Sequence, residues 1–217
     1  YAVDNDVDLG SMVDTNVKAG AVLAAACAHI GGLRMLVNTG TCAEYGDFRG
    51  QADEETRLDP NNAYASTKAA QTLLMGQLGR DLGVPLVTLR LYNLYGEHEN
   101  PSRIVPHVAL SLLRGDRVEL TAGEQAKDYT YLGDVVRAFL CAGVSPDAAG
   151  NVVNIGSGTT VTMREVVELI ASHFEGADGL LAFGAVPYRP DEMWFQGTRN
   201  DRARELLGWT PRVPLTD

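Results

Sequence analysis

Apolar positions along this chain fall into two patterns, short mainly apolar runs and longer stretches that repeat every three or four residues. Leu33 to Val37 and Pro85 to Leu91 predict buried strands of a parallel sheet, and Asn151 to Ile155 predicts another strand. Residues 10–30 carry Val13, Val17, Ala21 and Ala24 at helical steps, which predicts a helix with Asn16 inside it. A second helix starts near Pro60-Asn61-Asn62, runs to about Leu82 and stops at Gly83. Strand, helix, strand in that order predicts an α/β fold with right-handed crossovers.

The later half is more broken. After a Pro- and Asn-containing loop, Gly96 to Pro106, the pattern predicts a helix from about Ile104 to Leu113 and short strands at Val118–Thr121 and Asp128–Leu132. Gly133 to Ala142 reads as a helix with an apolar stripe of Val135, Val136, Phe139 and Leu140, and Asp134 as its N-terminal charge with no further role. Thr162 to Phe174 opens with a capping box, Thr162-Met163-Arg164-Glu165, Val186 to Glu192 is a loop, and Arg202 to Leu207 is a last helix closed by Gly208. Asp47 to Pro60 is polar and acidic, and is expected to be a surface excursion.

Composition narrows the function classes. The 217 residues are 45% apolar and 21% charged, enough for one sizeable domain or a domain with a smaller lobe. A net charge of −10 without any basic run argues against a nucleic-acid surface. Cys27, Cys42 and Cys141 form no CxxC pair, and His29, His98, His107 and His173 form no HExxH, so neither a disulfide framework nor a zinc site is expected. No signal peptide and no apolar run of the roughly 18 residues that span a membrane occurs, and a cytoplasmic location is expected.

The candidate chemistry sits at Tyr64-Ala65-Ser66-Thr67-Lys68, where Tyr64 and Lys68 share a helix face. A nearby ammonium is expected to lower the phenol's pKa, so that Tyr64 exchanges a proton with a substrate hydroxyl. Thr41 follows the first strand, where open α/β sheets place ligands, and its hydroxyl is expected to hold the same oxygen.

Seven segments make the chain resemble an extended short-chain dehydrogenase/reductase of the nucleotide-sugar-modifying kind, in the NAD-dependent epimerase/dehydratase family. They are Asn16-Val17, Thr41 to Gly46, Tyr64 to Lys68, Leu89 to Gly96, Lys127 to Asp134, Asn154 to Gly158 and Leu206 to Pro211. The resemblance implies a Rossmann-type parallel sheet with a small α/β substrate-binding lobe. Residues 1–95 would be the later half of the NAD(P)-binding domain and 96–217 mainly the substrate lobe, with about 128–158 packing back on the sheet. The chain opens at Tyr1-Ala2-Val3-Asp4 with no strand followed by GxGxxG, so about two βα units, on the order of 60 residues, are expected to be missing.

By the same resemblance the cofactor is NAD or NADP and the substrate a nucleotide sugar, which is epimerised or reduced at a 4-keto carbon. Thr41, Tyr64 and Lys68 would be catalytic, and Tyr64, Lys68 and Asn16 would meet the cofactor. Asn93, Lys127 and Arg189 would bind substrate, Lys127 standing where the family usually has arginine, so that a point charge replaces a bidentate fork. Helices 10–30 and 62–82 would pair in a homodimer. The family's 4,6-dehydratases carry Asp-Glu directly after the threonine, whereas this chain has Cys42 and Ala43, so dehydration is not expected. The alternative is a non-catalytic nucleotide-binding relative that lacks the cofactor loop.

Overall fold

The computed structural model describes residues 8–216. A helical rod comes first: α1 (Leu9–Val13), a π turn (Asp14–Lys18) and α2 (Ala19–Cys27) run on without a break. The expected helix over 10–30 is therefore present but carries one widened turn, closed by the Ala19 N–H donating to the Asp14 carbonyl.

The strands β1 (Leu36–Thr41), β3 (Leu86–Leu91) and β7 (Val152–Ile155) form a parallel sheet in the order β1-β3-β7. β1 lies later than the apolar run Leu33–Val37. Its start is fixed by pairing, Leu36 opposite Leu86, while Leu33 packs beside Met75 and Leu86 before the strand begins. The polar end of β1 is held inside the sheet by side-chain bonding, with Asn38 Nδ2 donating to Thr88 Oγ1 at 3.0 Å. Between β1 and β3 runs α3 (Ala63–Leu82), capped by the Asn62 side chain and closed by Gly83 in the left-handed conformation. α2 and α3 cover one face of the sheet through Ala24, Cys27, Met75, Val84 and Leu86.

The opposite face is covered by α5 (Leu132–Val144) and α7 (Asp201–Leu207), where Val135, Ala138, Ala142, Ala203 and Leu207 meet Val87, Leu89, Val153 and Ile155. Within the expected stripe only Val135 and Phe139 face this core; Val136 and Leu140 point away, 51% and 68% exposed, because the small Ala138 and Ala142 make the close approach. Asp134 does more than charge a helix start. Its carboxylate accepts the backbone N–H groups of Arg212 (2.7 Å) and Val213 (2.9 Å) and pairs with Arg137, fastening the chain that follows α7. The fully buried Trp209 indole donates to the Asp134 carbonyl at 2.9 Å.

A second group of strands has the order β2-β10-β6-β4: β2 (Gln51–Ala52), β10 (Phe195–Thr198), β6 (Ala126–Tyr131) and β4 (Asn93–Tyr95), with β8 (Thr160–Thr162) antiparallel to β6. β2 lies in the supposed surface excursion. Ala52 is 3% exposed, Asp47 accepts the Trp194 and Phe195 N–H groups at 2.9 Å, and Glu54 accepts the Asn154 N–H at 2.7 Å. These acidic side chains serve as acceptors for sheet backbone, which is why a polar sequence lies partly inside. A separate core joins α4 (Ile104–Arg114), β5 (Val118–Leu120), α6 (Met163–Ala171) and β9 (Leu181–Phe183) through Val108, Leu112, Val118, Leu120 and Val167.

Candidate active site

β1 ends at Thr41, and the next four residues, Cys42–Tyr45, make one tight helical turn capped by Thr41. The turn is a capping box: the Ala43 N–H donates to Thr41 Oγ1 (3.3 Å) and Glu44 Oε1 accepts the Thr41 N–H (2.9 Å). The turn delivers Thr41 beside Tyr64, in the first turn of α3, where the threonine hydroxyl draws the phenol pKa down. Tyr64 is half-buried and Lys68, one turn on, is 8% exposed.

Tyr64 and Lys68 do not interact as the sequence suggested. The Lys68 ammonium donates to the Thr39 carbonyl at 2.5 Å and to Gln71 Oε1. The phenol pKa is raised rather than lowered: burial pushes it up, the neighbouring Thr41 hydroxyl and Arg103 draw it down, and the nearby Cys42 and Glu44 add to the rise. Lys68 is lowered by burial, with Glu44 opposing. Both groups are thereby biased toward their neutral forms.

Asn16, in the π turn, donates to Thr67 Oγ1 at 3.0 Å, and Thr67 donates to the Tyr64 carbonyl at 2.9 Å, so the rod grips the turn that carries the tyrosine. Asn93 on β4 donates to the Asp128 carbonyl and to Gln196 Oε1, both at 3.1 Å. Lys127 on β6 lies 3.7 Å from Glu192, and the Glu192 N–H donates to the Arg189 carbonyl at 3.2 Å, which brings the Lys127 and Arg189 segments together. Arg189 is exposed and makes no ion pair with a described residue, neither with Asp191 nor with Glu192.

Sequence reasoning passed over three groups. Gln196 on β10 donates to Cys42 Sγ at 3.3 Å while accepting from Asn93, so it joins the turn after β1 to the strand bearing the candidate sugar contact. Asp128, fully buried, accepts the Ser157 and Gly158 N–H groups at 2.7 and 2.8 Å. Arg90 and Glu44 make a buried ion pair at 2.8 Å, and Arg90 continues to Tyr45 Oη (2.9 Å), which donates to Asn154 (2.8 Å). The Thr41-x-x-Glu44 spacing of a capping box was a readable signal for the last; nothing local marks Gln196.

Cys42 itself is a poor acid or nucleophile, its thiol pushed up to about 12, chiefly by burial. Among the described residues no group of His, Cys, Asp or Glu could hold a metal ion, and no helix is long and apolar enough to cross a membrane.

A half-buried tyrosine beside a threonine at the carboxyl end of a parallel strand, with a lysine one turn on, is an arrangement that can move a hydroxyl proton. The model of the NAD dependent epimerase/dehydratase family matches residues 4–156. The chain belongs to the NAD-dependent epimerase/dehydratase family. It is 29% identical over 205 residues to an Arabidopsis thaliana trifunctional UDP-glucose 4,6-dehydratase/UDP-4-keto-6-deoxy-D-glucose 3,5-epimerase/UDP-4-keto-L-rhamnose-reductase, covering 91% of this chain and 30% of that one. It is also 29% identical over 214 residues to the UDP-glucose 4-epimerase of Mycolicibacterium smegmatis, covering 91% and 64%. The structure of a UDP-glucose 4-epimerase with UDP-glucose from Thermotoga maritima superposes with a TM-score of 0.88 at 26% identity, over 96% of this chain and 68% of that one. The fold is thus of the Rossmann type, and the chain spans from under a third to about two thirds of the length of the curated relatives it matches.

Members of this family are NAD-dependent, and the donor set here fits one end of that cofactor. Lys68 spends two N–H groups on Thr39 and Gln71, which leaves a third donor beside the Tyr64 turn for a ribose hydroxyl. The pyrophosphate end calls for a turn of free backbone N–H groups after a strand, and the 217 residues contain no GxGxxG.

Proposed function

We propose that this chain carries the proton-transfer and sugar-binding parts of a nucleotide-sugar 4-epimerase or 4-keto reductase. The observation that carries the reading is that Thr41 closes β1 beside Tyr64 in the first turn of α3, with Lys68 anchored one turn on to the Thr39 carbonyl. When bound, the nicotinamide supplies or accepts a hydride at a ring carbon. Tyr64 moves the proton of the hydroxyl on that carbon, and Thr41 holds the same oxygen and relays to the phenol. Lys68 holds α3 to the end of β1 and offers its remaining donor to the cofactor ribose. Asn16 holds the Tyr64 turn in place through Thr67. Asn93, Lys127 and Arg189 bind the sugar and its diphosphate, Lys127 as a point charge and Arg189 as an exposed guanidinium.

Dehydration is left out of this reading. The two positions after Thr41 are a thiol held protonated to about pH 12 and an alanine. Glu44, the nearest carboxylate along the chain, is fully buried and bonded to Arg90, Thr72 and the Thr41 N–H. It has no path to a sugar carbon. Full-length protein given NAD and UDP-glucose should interconvert two sugar nucleotides with no net cofactor change, or, given a 4-keto sugar nucleotide, should consume NADH or NADPH stoichiometrically. A 4-keto-6-deoxy product from an unmodified nucleotide hexose would contradict the assignment, as would the absence of both epimerisation and 4-keto reduction.

A further inference from the structure

Glu44 is the least expected charge in the molecule, fully buried between β1, β3 and α3. Each of its bonds leads to the candidate site or to its support. Oε1 accepts the Thr41 N–H at 2.9 Å and the Thr72 hydroxyl at 3.1 Å, and Thr72 lies one turn after Lys68 on α3. Oε2 accepts Arg90 Nε at 2.8 Å, which ties the group to the middle strand of the sheet. The fold makes room for it: a Cβ on Gly40 would stand 2.8 Å from Glu44 Oε1, so the strand is bare of side chain where the carboxylate lies.

We infer that Glu44 is a positioning residue for the Thr41–Tyr64 pair, one carboxylate fixing the backbone that presents Thr41 and the helix that presents Tyr64 and Lys68. The inference rests on the proposed role of those residues, and it adds a group that touches neither substrate nor cofactor. A single acceptor oxygen shared by Thr41 and α3 sets the spacing of the two hydroxyls, and misplacement of about 1 Å costs on the order of 100-fold in rate. Its charge also reaches the phenol. The groups that face Tyr64 are Cys42 and Glu44 from the turn after β1, which raise its pKa, and Arg103 ahead of α4, which lowers it.

The test uses an Arg90→Met background in the full-length protein, so that no buried cation is left unpaired when the carboxylate is removed. Glu44→Ala should lower kcat about 10- to 100-fold with KM unchanged, and Glu44→Gln, which restores the acceptor oxygen, should recover most of it. Tyr64 ionisation is read separately, without cofactor or substrate, from tyrosinate absorbance against a Tyr64→Phe partner of each variant. Its midpoint should fall toward that of a free phenol in both the Ala and Gln variants. Equal kcat losses in Ala and Gln together with an unmoved Tyr64 midpoint would reduce Glu44 to a structural ion pair and overturn the inference. If the wild-type protein proves inactive on nucleotide sugars, the proposed function fails, but the Tyr64 midpoint still decides this inference.

Discussion

Lys68 donates to the Thr39 carbonyl at 2.5 Å, not to Tyr64 four residues before it. The lysine therefore fastens α3 to the last residues of β1, and the hydroxyl that draws the phenol pKa down is that of Thr41. In the proposed mechanism the labour is divided, with Thr41 and Tyr64 next to the reacting hydroxyl and Lys68 holding the helix that presents Tyr64.

Tyr64→Phe removes the proton carrier and leaves the ring in place. It is expected to lower kcat by about 10²- to 10⁴-fold while the Kd for a nucleotide sugar stays within a few-fold of the parent. Steady-state kinetics with calorimetry on the same preparation reads both numbers, and wild-type kcat in the variant would remove Tyr64 from the mechanism.

Cys42 gives the chain an alkaline weakness. Its folded pKa is raised from 9.0 to about 12, so the folded state keeps a proton that the unfolded chain loses. Stability from this group is fully present below pH 9.0 and declines as pH rises toward about 12. Tyr45, raised from 10.0 to about 12 by burial, acts in the same direction over the upper part of that range. Urea unfolding at stepped pH should show Cys42→Ala with a shallower decline, by up to about 1.4 kcal/mol per pH step of one. Parallel declines in parent and variant would show that the thiol is not shielded.

Asp134 has the opposite sign. Burial pushes its carboxyl up, but the Arg212 and Val213 N–H groups and Arg137 together hold it below the ordinary 3.8. The stability it contributes is present above that value and is lost as pH falls through the folded pKa. Asp134→Asn is expected to lower unfolding free energy by about 1–3 kcal/mol at neutral pH, and the gap from wild type should close in acid. Denaturant midpoints at pH 7 and pH 3 test both statements.

Parts of this architecture were legible because a local rule fixed them. Asn62 and Gly83 bracket α3, the Thr162–Glu165 box opens α6, and the apolar run before Leu91 is β3. The misses share one cause, that partners distant in sequence decided the outcome. β1 begins where Leu36 meets Leu86, not where apolar residues begin, and the two residues of β2 are a strand only because β10 lies beside them. The direction of the Tyr64 shift was misjudged because helical spacing gave Lys68 a neighbour, while the fold gave it the Thr39 carbonyl instead. Gln196 lies 154 residues from Cys42, beyond the reach of any spacing rule.

We propose self-association through the α2–α3 face, which would cover Val22 (63% exposed), Leu23 (52%) and Leu73 (65%). Leu23→Glu with Leu73→Glu is expected to convert a dimer to a monomer in light scattering at micromolar protein. Unchanged mass in the double variant would place any assembly on another face.

The π turn at Asp14–Lys18 has a bearing on insertions and deletions. A widened turn of this kind holds one residue more than an α-helical turn, so the helix on either side keeps its own face toward the protein. Removing one residue from the turn would let α1 and α2 join as a regular helix, with Ala24 and Cys27 still packed against Met75. What such a deletion takes away is the outward step from which Asn16 reaches Thr67. The rod is therefore expected to tolerate loss of one residue at little cost to its packing, with the Asn16–Thr67 bond as what it gives up.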